Sequence, residues 1–229
     1  MTSPLVIFDL DGTLIHTAPD LMASLNHVMD LNGLEHVTFE DMTWLVGQGA
    51  KVMIERAWGL HKHPTSPGQL EAAFEAFLIH YAAGMPGKSE PYPGLLKALD
   101  RLDAAGMALA VCTNKSEMLA LKLLDCLDLT GRFVAITGGD TFKVKKPHGD
   151  HILNTIAKAG GEANNAVMIG DSINDILAAQ NALVPAIGVP FGYSDKPVES
   201  FNPDIVIEHF DELDAALVTG LIETSNRKK

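Results

Sequence analysis

The sequence contains little cysteine and no long apolar segment. Its two cysteines, Cys112 and Cys126, are too few for a disulfide framework. Both lie in apolar or helical patterns, so we expect both to be small buried residues. No apolar run approaches the roughly 20 residues that cross a bilayer, and Met1-Thr2-Ser3-Pro4 lacks the basic segment of a signal peptide. These features predict a cytoplasmic protein without a membrane partner.

Positive charge is also scarce. The chain has 17 Lys and Arg against 29 Asp and Glu, which gives a net charge of −12. A nucleic-acid surface needs clustered Lys and Arg, so nucleic acid is not an expected partner. The same negative field repels phosphorylated substrates, so a site for one needs a local cation. The basic tail at 226–229 is expected to be a solvated, frayed end and does not supply it.

Short apolar runs alternate with helical patterns along most of the 229 residues, of which 47% are hydrophobic. The expected strands are 5–8, 107–112, 133–136, 166–169, 184–189 and 205–207. Helical patterns between and after them cover 116–127, 151–159, 173–181 and 212–222. Continuous apolar strands separated by helices are typical of a parallel sheet that is covered on both faces. We therefore predict an α/β fold with a doubly wound parallel sheet.

The interval from 17 to 90 interrupts this alternation. It contains four helical patterns, at 19–32, 39–46, 50–58 and 69–83, and no convincing strand. Thr17-Ala18-Pro19-Asp20 is typical of a capping box at a helix start, and the Pro- and Gly-rich segment 85–94 is typical of a linker. We predict a core formed by 1–16 and 91–229 and an inserted all-helical domain at 17–90. Such an insertion would cover the end of the first strand as a lid does.

Two carboxylates, Asp9 and Asp11, follow the first predicted strand in the segment Phe8-Asp9-Leu10-Asp11-Gly12-Thr13-Leu14. A pair with this spacing is suited to a hard cation or a reacting phosphate. Asp-Gly between apolar residues is also a strong hairpin-turn signal, so the segment alone leaves both interpretations open.

Polar groups recur where later strands end. They are Thr113-Asn114-Lys115, Gly138-Gly139-Asp140 and Gly170-Asp171-Ser172-Ile173-Asn174-Asp175. In a parallel sheet all of these strand ends lie along one edge, where open α/β folds bind ligands. The repetition therefore predicts a single site at that edge.

Asp171 and Asp175 are four residues apart and share one face if a helix begins there. With Asp9 they would form an oxygen-rich pocket suited to Mg²⁺. Ser172-x-x-Asp175 is also a capping box, so a structural role for Asp175 stays open beside a role in the metal site. We favour Asp171 as a direct metal ligand.

Two further segments have a functional and a structural interpretation. Thr113 and Asn114 suit an ordinary turn, but a hydroxyl and backbone N–H groups before a helix also hold phosphate oxygens. Lys146 belongs to the densest positive cluster, Lys143-Val144-Lys145-Lys146-Pro147-His148, and Pro147 keeps its backbone extended. We predict that Lys146 stabilises negative charge in the site and that Lys143 and Lys145 face solvent.

These motifs together resemble the haloacid dehalogenase superfamily of phosphohydrolases. Residues 9–14 match its first motif, 111–115 are similar to the second, 146–147 to the third and 170–175 to the fourth. The helical insertion resembles the small cap of that family. Segments 17–21, 46–49 and 138–142 are similar to its phosphoglycolate phosphatase group. One departure is Pro147-His148-Gly149-Asp150-His151, where relatives usually continue Lys-Pro-His with Pro-Asp-Pro.

The resemblance implies Mg²⁺-dependent hydrolysis of a small phosphate monoester, with 2-phosphoglycolate as the best guess. It makes Asp9 the nucleophile that forms an aspartyl-phosphate and Asp11 the general acid and base. It implies metal binding by Asp9, the backbone carbonyl of Asp11, and Asp171, with Asp175 beside them. Thr113, Asn114 and Lys146 would hold the phosphoryl oxygens. The expected partner is a small phosphorylated metabolite, and the chain is expected to be a monomer or homodimer.

The segment Gly47-Gln48-Gly49-Ala50-Lys51 is the candidate substrate-selecting part of the insertion. Gly49 would open a helix that offers N–H groups, and Lys51 would offer its ammonium, to a substrate carboxylate. Alternatively, Gly49 ends or bends a helix and Lys51 is solvated.

Two other functions stay open at this point. A phosphomutase would use the same Asp9, Asp11 and helical cap, and would form an isomer instead of free phosphate. A non-catalytic binding protein would lack a nucleophile, an acid or a metal carboxylate, and none of these is missing from the sequence.

Overall fold

The computed structural model describes residues 2–63 and 66–228, which form strands and helices in alternation. The strands are β1 (Leu5–Phe8), β2 (Ile15–His16), β3 (Glu90–Pro91), β4 (Ala108–Cys112), β5 (Ala135–Thr137), β6 (Ala166–Gly170), β7 (Ala186–Gly188) and β8 (Ile205–Val206). The helices are α1 (Ala18–Leu31), α2 (Phe39–Leu45), α3 (Ala50–Leu60), α4 (Pro67–Gly84), α5 (Leu95–Ala104), α6 (Glu117–Cys126), α7 (Gly149–Lys158), α8 (Ile173–Ala182) and α9 (Ala215–Lys228).

A six-stranded parallel sheet in the order β5-β4-β1-β6-β7-β8 forms the centre of the fold. Each residue of β1 is fully buried, which explains its uninterrupted apolar sequence. Successive side chains of a strand point to opposite faces. Accordingly, Val6 and Phe8 join one apolar cluster, and Leu5 and Ile7 join a second cluster on the other face. The predicted doubly wound parallel sheet is confirmed.

The four helices between β2 and β3 bury an apolar cluster of their own. Leu25, Met29, Trp58 and Phe77 are fully buried in it, and α1 packs along α4. Leu119 from α6 also belongs to this cluster, so the insertion rests on the sheet-bearing part through apolar contacts.

The structure corrects three expectations around the insertion and the helices. Segment 85–94 is not only a linker, because β3 within it pairs antiparallel with β2. Thr17 and Asp20 do not form a capping box: the Thr17 hydroxyl donates to Asp11 (2.7 Å), while the Asp20 carboxylate accepts from Lys88 N and Ser89 Oγ. Cys126 is exposed at the end of α6, and only Cys112 is buried.

The C-terminal tail is exposed at Asn226 and Arg227, as expected, but it is helical and not frayed. Helix α9 continues to Lys228, and the Asn226 side chain donates to the Asn164 carbonyl (2.8 Å). Buried Val218 and Ile222 hold the helix against the sheet. Residue 229 lies outside the described residues. No helix among the described residues is both long and apolar enough to cross a membrane.

Close packing of α7 against α8 requires glycine at position 149. A Cβ added there would lie 2.6 Å from the Asn181 carbonyl carbon and 2.8 Å from Ala182 N. These are backbone atoms, so the helices would have to separate. We expect Gly149→Ala to lower the free energy of unfolding by about 1–3 kcal/mol, measured by chemical denaturation.

Gly220→Ala in α9 is the matched control, because no described atom outside its own helix lies within 4 Å of an added Cβ there. Alanine at an exposed helix position should be neutral or stabilising by up to about 1 kcal/mol. A Gly149→Ala protein as stable as the wild type would contradict the packing argument.

Candidate active site

The carboxyl ends of β1, β4 and β5 open into a cleft of about 360 Å³ beneath the helical insertion. Asp9 and Asp11 follow β1, Thr113 to Lys115 follow β4, and Gly47 to Lys51 close the cleft from the insertion. Residues that are far apart in the sequence therefore meet at one edge of the sheet, as parallel pairing requires.

Lys146 connects two of the strand ends. Its buried ammonium donates to Asp9 Oδ1 (2.7 Å) and to Asp175 Oδ1 (2.6 Å). Burial opposes the charge of Lys146, but Asp175 and Asp9 reverse this effect and raise its pKa above the ordinary value. Asp9 is held in register by its own N–H, which donates to the Ile169 carbonyl of β6 (2.9 Å).

Asp171 is held from two sides. Its Oδ1 accepts from the Thr13 hydroxyl (3.0 Å), and its Oδ2 accepts from Tyr193 N (2.6 Å). Gly12 has a φ of +86°, and a Cβ there would lie 2.5 Å from Asp171 Oδ2. Gly12 is therefore needed both for the turn after β1 and for the approach of Asp171.

Asp9, Asp171 and Asp175 form a buried group in which one ligand atom of each lies within 4.8 Å of the others. Burial raises the pKa of Asp9 to about 7, with Lys146 lowering it and Asp175 raising it. Burial, then Asp175 and Asp9, raise the pKa of Asp171 well above its usual range. The single positive charge of Lys146 does not balance three buried carboxylates. Their oxygens form a donor set that fits a divalent cation.

Asp175 also performs the capping role that its sequence pattern suggested. Its Oδ2 accepts from Ser172 N (3.0 Å) and from the Ser172 hydroxyl (2.7 Å) at the start of α8. The other oxygen, Oδ1, faces Lys146. The capping role is therefore confirmed, and it leaves Oδ1 for contacts inside the group of buried carboxylates.

Asp11 lies apart from the three-carboxylate group and pairs with Lys115. The Lys115 ammonium donates to both Asp11 oxygens (2.7 and 3.0 Å), and the Thr17 hydroxyl donates to Asp11 Oδ1. The same ammonium lies 4.6 Å from the ring centroid of Tyr81 on α4. Sequence reasoning quoted Lys115 but gave it no role. A lysine directly after a central strand of an acidic chain was the available signal.

Thr113 and Asn114 form the turn after β4. Thr113 is buried, and its hydroxyl accepts from Lys115 N (3.2 Å). The Asn114 amide donates to the carbonyls of Gly47 (3.1 Å) and Lys146 (3.0 Å). Asn114 therefore connects the insertion to the loop that carries the site lysine.

The loop before α3 is attached to the sheet-bearing part by other side chains as well. Asn174 donates to the Gly47 carbonyl (3.3 Å), and Lys145 donates to the Gln48 carbonyl (2.9 Å). Lys145 was expected to face solvent only. Lys145 is exposed, but its side chain also reaches across the cleft, because the insertion places the Gln48 carbonyl within hydrogen-bond distance of its ammonium.

Gly49 and Lys51 both line the cleft. Gly49 is the N-cap of α3, so it begins a helix and does not end or bend one. The Lys51 ammonium is paired with Glu71 of α4 and lies 5.8 Å from the Phe74 ring centroid. Its charge is therefore already balanced at the exposed mouth of the cleft.

The two histidines after Lys146 have different positions. His148 is exposed and caps α7 by accepting from Asp150 N (3.2 Å). His151 is fully buried, and its Nδ1 accepts from Lys146 N (3.1 Å). Burial and the Lys146 charge lower the pKa of His151 to about 4. Sequence reasoning noticed the unusual residues here but missed this support of Lys146.

Residues 6–189 match the model of the haloacid dehalogenase-like hydrolase family. The protein belongs to this family. A phosphoglycolate phosphatase of Agrobacterium fabrum is 55% identical, with 96% of this chain and 94% of the relative aligned. One of Mesorhizobium japonicum is 45% identical, with 98% and 99% aligned.

A solved structure shows the same architecture. The crystal structure of a predicted phosphoglycolate phosphatase from Haemophilus somnus superposes with a TM-score of 0.84 at 29% identity, covering 92% of this chain and 96% of that one. The chain is therefore an enzyme of the hydrolase family, and the resemblance drawn from its four motifs is confirmed.

The buried His151 predicts an acid-dependent loss of stability. Its folded-state pKa lies below the ordinary value of 6.5. Between these two pH values the unfolded chain binds more protons than the folded protein, so the free energy of unfolding decreases as the pH is lowered. When the pH is lowered from about 7 to about 5.5, the free energy of unfolding should fall by about 1–2 kcal/mol more in the wild type than in His151→Asn. Denaturant titration at each pH measures this difference. Asn keeps an acceptor for Lys146 N.

His148→Asn is the matched control, because it removes an exposed imidazole from the same loop and keeps a capping side chain. Other titrating groups cancel in the comparison. The same pH dependence in wild type and His151→Asn would show that His151 is not a buried neutral imidazole.

Proposed function

We propose that the protein is a Mg²⁺-dependent phosphatase that hydrolyses 2-phosphoglycolate through a phosphorylated Asp9. The observation that carries this proposal is the pair of ammonium groups behind the two carboxylates that line the cleft, that of Lys146 on Asp9 and that of Lys115 on Asp11. They provide the local positive charge that a phosphate ester needs in a chain with a net charge of −12. The phosphoglycolate phosphatases among its relatives support the choice of substrate.

The proposed reaction has two halves. A carboxylate oxygen of Asp9 attacks phosphorus while Asp11 gives a proton to the leaving oxygen, which yields aspartyl-phosphate and an alcohol. Asp11 then takes a proton from a water molecule whose oxygen attacks phosphorus, so phosphate leaves and Asp9 is restored. Lys146 contacts Asp9 and is placed to balance charge on the phosphoryl oxygens, with Thr113 and Asn114 beside it.

Asp9, Asp171 and Asp175, together with the backbone carbonyl of Asp11, are the proposed surroundings of Mg²⁺. When bound, the ion would offset the repulsion between carboxylate and phosphate. Thr13 and Tyr193 hold the Asp171 carboxylate toward this place. Ser172 fixes Asp175 at the same time.

Residues 17–90 are proposed to act as the cap of a core formed by 1–16 and 91–229. Direct use of Gly49 or Lys51 in substrate binding stays a prediction, as do a cytoplasmic location and a monomer or homodimer. The cap contacts at Gly47 and Gln48 support a role for this segment in enclosing the substrate.

The nucleophile assignment predicts that Asp9→Asn loses at least about 10³-fold in kcat, because the amide does not attack phosphorus. The Lys146 contact to Asp175 is retained, so the fold should persist. Phosphate release measures activity, and circular dichroism checks the fold. Asp125→Asn, at an exposed position of α6, is the control. A folded Asp9→Asn enzyme with near wild-type turnover would exclude Asp9 as the nucleophile.

The metal assignment predicts that a chelator abolishes activity and that added Mg²⁺ restores it. Asp171→Asn should raise the Mg²⁺ concentration for half-maximal activity by about 10-fold or more, because a charged oxygen ligand is lost. Titration of the chelated enzyme with Mg²⁺ measures this. An unchanged requirement in Asp171→Asn would place the ion elsewhere.

A panel of small phosphate esters tests the substrate. The wild type should release phosphate from 2-phosphoglycolate with a higher kcat/KM than from other esters. Isomer formation from a hexose phosphate without phosphate release would identify a phosphomutase instead. A flat profile over the panel would refute 2-phosphoglycolate and leave the reaction class in place.

A further inference from the structure

Lys115 is a buried cation in the cleft that takes no part in the two halves of the proposed reaction. Only 8% of the surface of Lys115 is exposed. Its ammonium donates to both oxygens of the Asp11 carboxylate, and Lys115 lines the cleft that a substrate would occupy.

The surroundings of Lys115 join both parts of the protein. Asp11 of the core holds the ammonium at 2.7 and 3.0 Å, and the ring of Tyr81 from α4 covers it. Tyr81 is buried and also lines the cleft. Its hydroxyl has no hydrogen-bond partner among the described residues. A buried, unpartnered hydroxyl beside a buried ammonium is a pair of donors that suits an anionic group.

The place of this pair relative to Asp11 indicates which part of the substrate it meets. Asp11 is proposed to protonate the oxygen of the bond that breaks. In 2-phosphoglycolate the carboxylate carbon is two bonds away from that oxygen. The substrate carboxylate is therefore close to the leaving oxygen that Asp11 would contact. The Lys115 ammonium, which contacts Asp11, is within reach of that carboxylate. The leaving group, and not the phosphoryl group, is therefore next to Lys115.

The other lysines at the cleft are already engaged. Lys146 holds Asp9 and Asp175, and Lys145 donates to the Gln48 carbonyl. Lys51 is exposed and paired with Glu71. Lys115 differs from Lys146 because its partner, Asp11, is proposed to act on the leaving oxygen and not on phosphorus.

We propose that Lys115, with the Tyr81 hydroxyl beside it, binds the carboxylate of the leaving group and selects 2-phosphoglycolate over esters of uncharged alcohols. The proposal rests on the proposed function and extends it from the reaction to the choice of substrate. It replaces Lys51 by Lys115 as the cation that recognises the substrate carboxylate.

The test compares two esters that differ by one carboxylate. We would measure kcat/KM for 2-phosphoglycolate and for ethyl phosphate in wild type, Lys115→Met, Lys115→Gln and Lys51→Met. In both Lys115 variants the ratio of the two values should fall by about 30-fold or more, because a buried charged hydrogen bond to substrate is lost. Lys97→Met, at an exposed position of α5, removes the same charge outside the cleft and should leave the ratio unchanged.

An equal loss toward both esters would overturn the proposal, because it would mean that Lys115 only positions Asp11. A selective loss in Lys51→Met alone would overturn it as well. If the Lys115 variants fold but turn over neither ester, the Kd of each ester in an Asp9→Asn background replaces the kinetic ratio. A selective weakening of 2-phosphoglycolate binding supports the proposal, and equal weakening refutes it.

The failure of the proposed function gives a different result. A wild-type enzyme that prefers another phosphate ester with a carboxylate, such as 3-phosphoglycerate, refutes 2-phosphoglycolate as the substrate. The ratio of kcat/KM for that ester to kcat/KM for ethyl phosphate then decides the role of Lys115. A wild-type enzyme that is indifferent to the carboxylate refutes Lys115 as its recognition residue and leaves the phosphatase mechanism intact.

Discussion

The balance of charge among buried carboxylates determines the arrangement of this site. Parallel pairing of β1 with β6 brings Asp9 and Asp171 to one sheet edge, and the capping geometry of α8 adds Asp175. Buried carboxylates are unfavourable unless they are paired and hydrogen-bonded. The single ammonium of Lys146 contacts two of them, so its loop must be held between the strand ends.

The supporting contacts around the site are mostly fixed by the main chain. Tyr193 N and Thr13 orient Asp171, Ile169 holds the backbone of Asp9, and His151 accepts from Lys146 N. Such contacts come from elements whose positions are set by the packing of two apolar clusters on the sheet. The fold thus fixes these carboxylates and the Lys146 backbone before any ligand binds, as catalysis by positioned charges requires.

Much of this was predictable from the sequence because it depends on local patterns. The apolar runs gave the strands, and the polar residues after each run gave the shared edge. Contacts between distant residues were not predictable. Thr17 fits a capping box until Asp11 competes for its hydroxyl, and Lys115 has no visible role until α4 places Tyr81 over it. Strand β3 escaped notice because a pair of two-residue strands has no periodicity to detect.

Hydrogen bonds connect the helical insertion, which we propose to be a cap, to the loops at the sheet edge. Asn114 donates both to the Gly47 carbonyl of the cap and to the Lys146 carbonyl of the core, while Asn174 and Lys145 hold the same cap loop. Each such bond contributes only about 1 kcal/mol net. These bonds are therefore weak enough for the insertion to respond to a ligand that contacts both sides. Because Asn114 is shared, movement of the loop before α3 reaches the backbone of the lysine that pairs with Asp9.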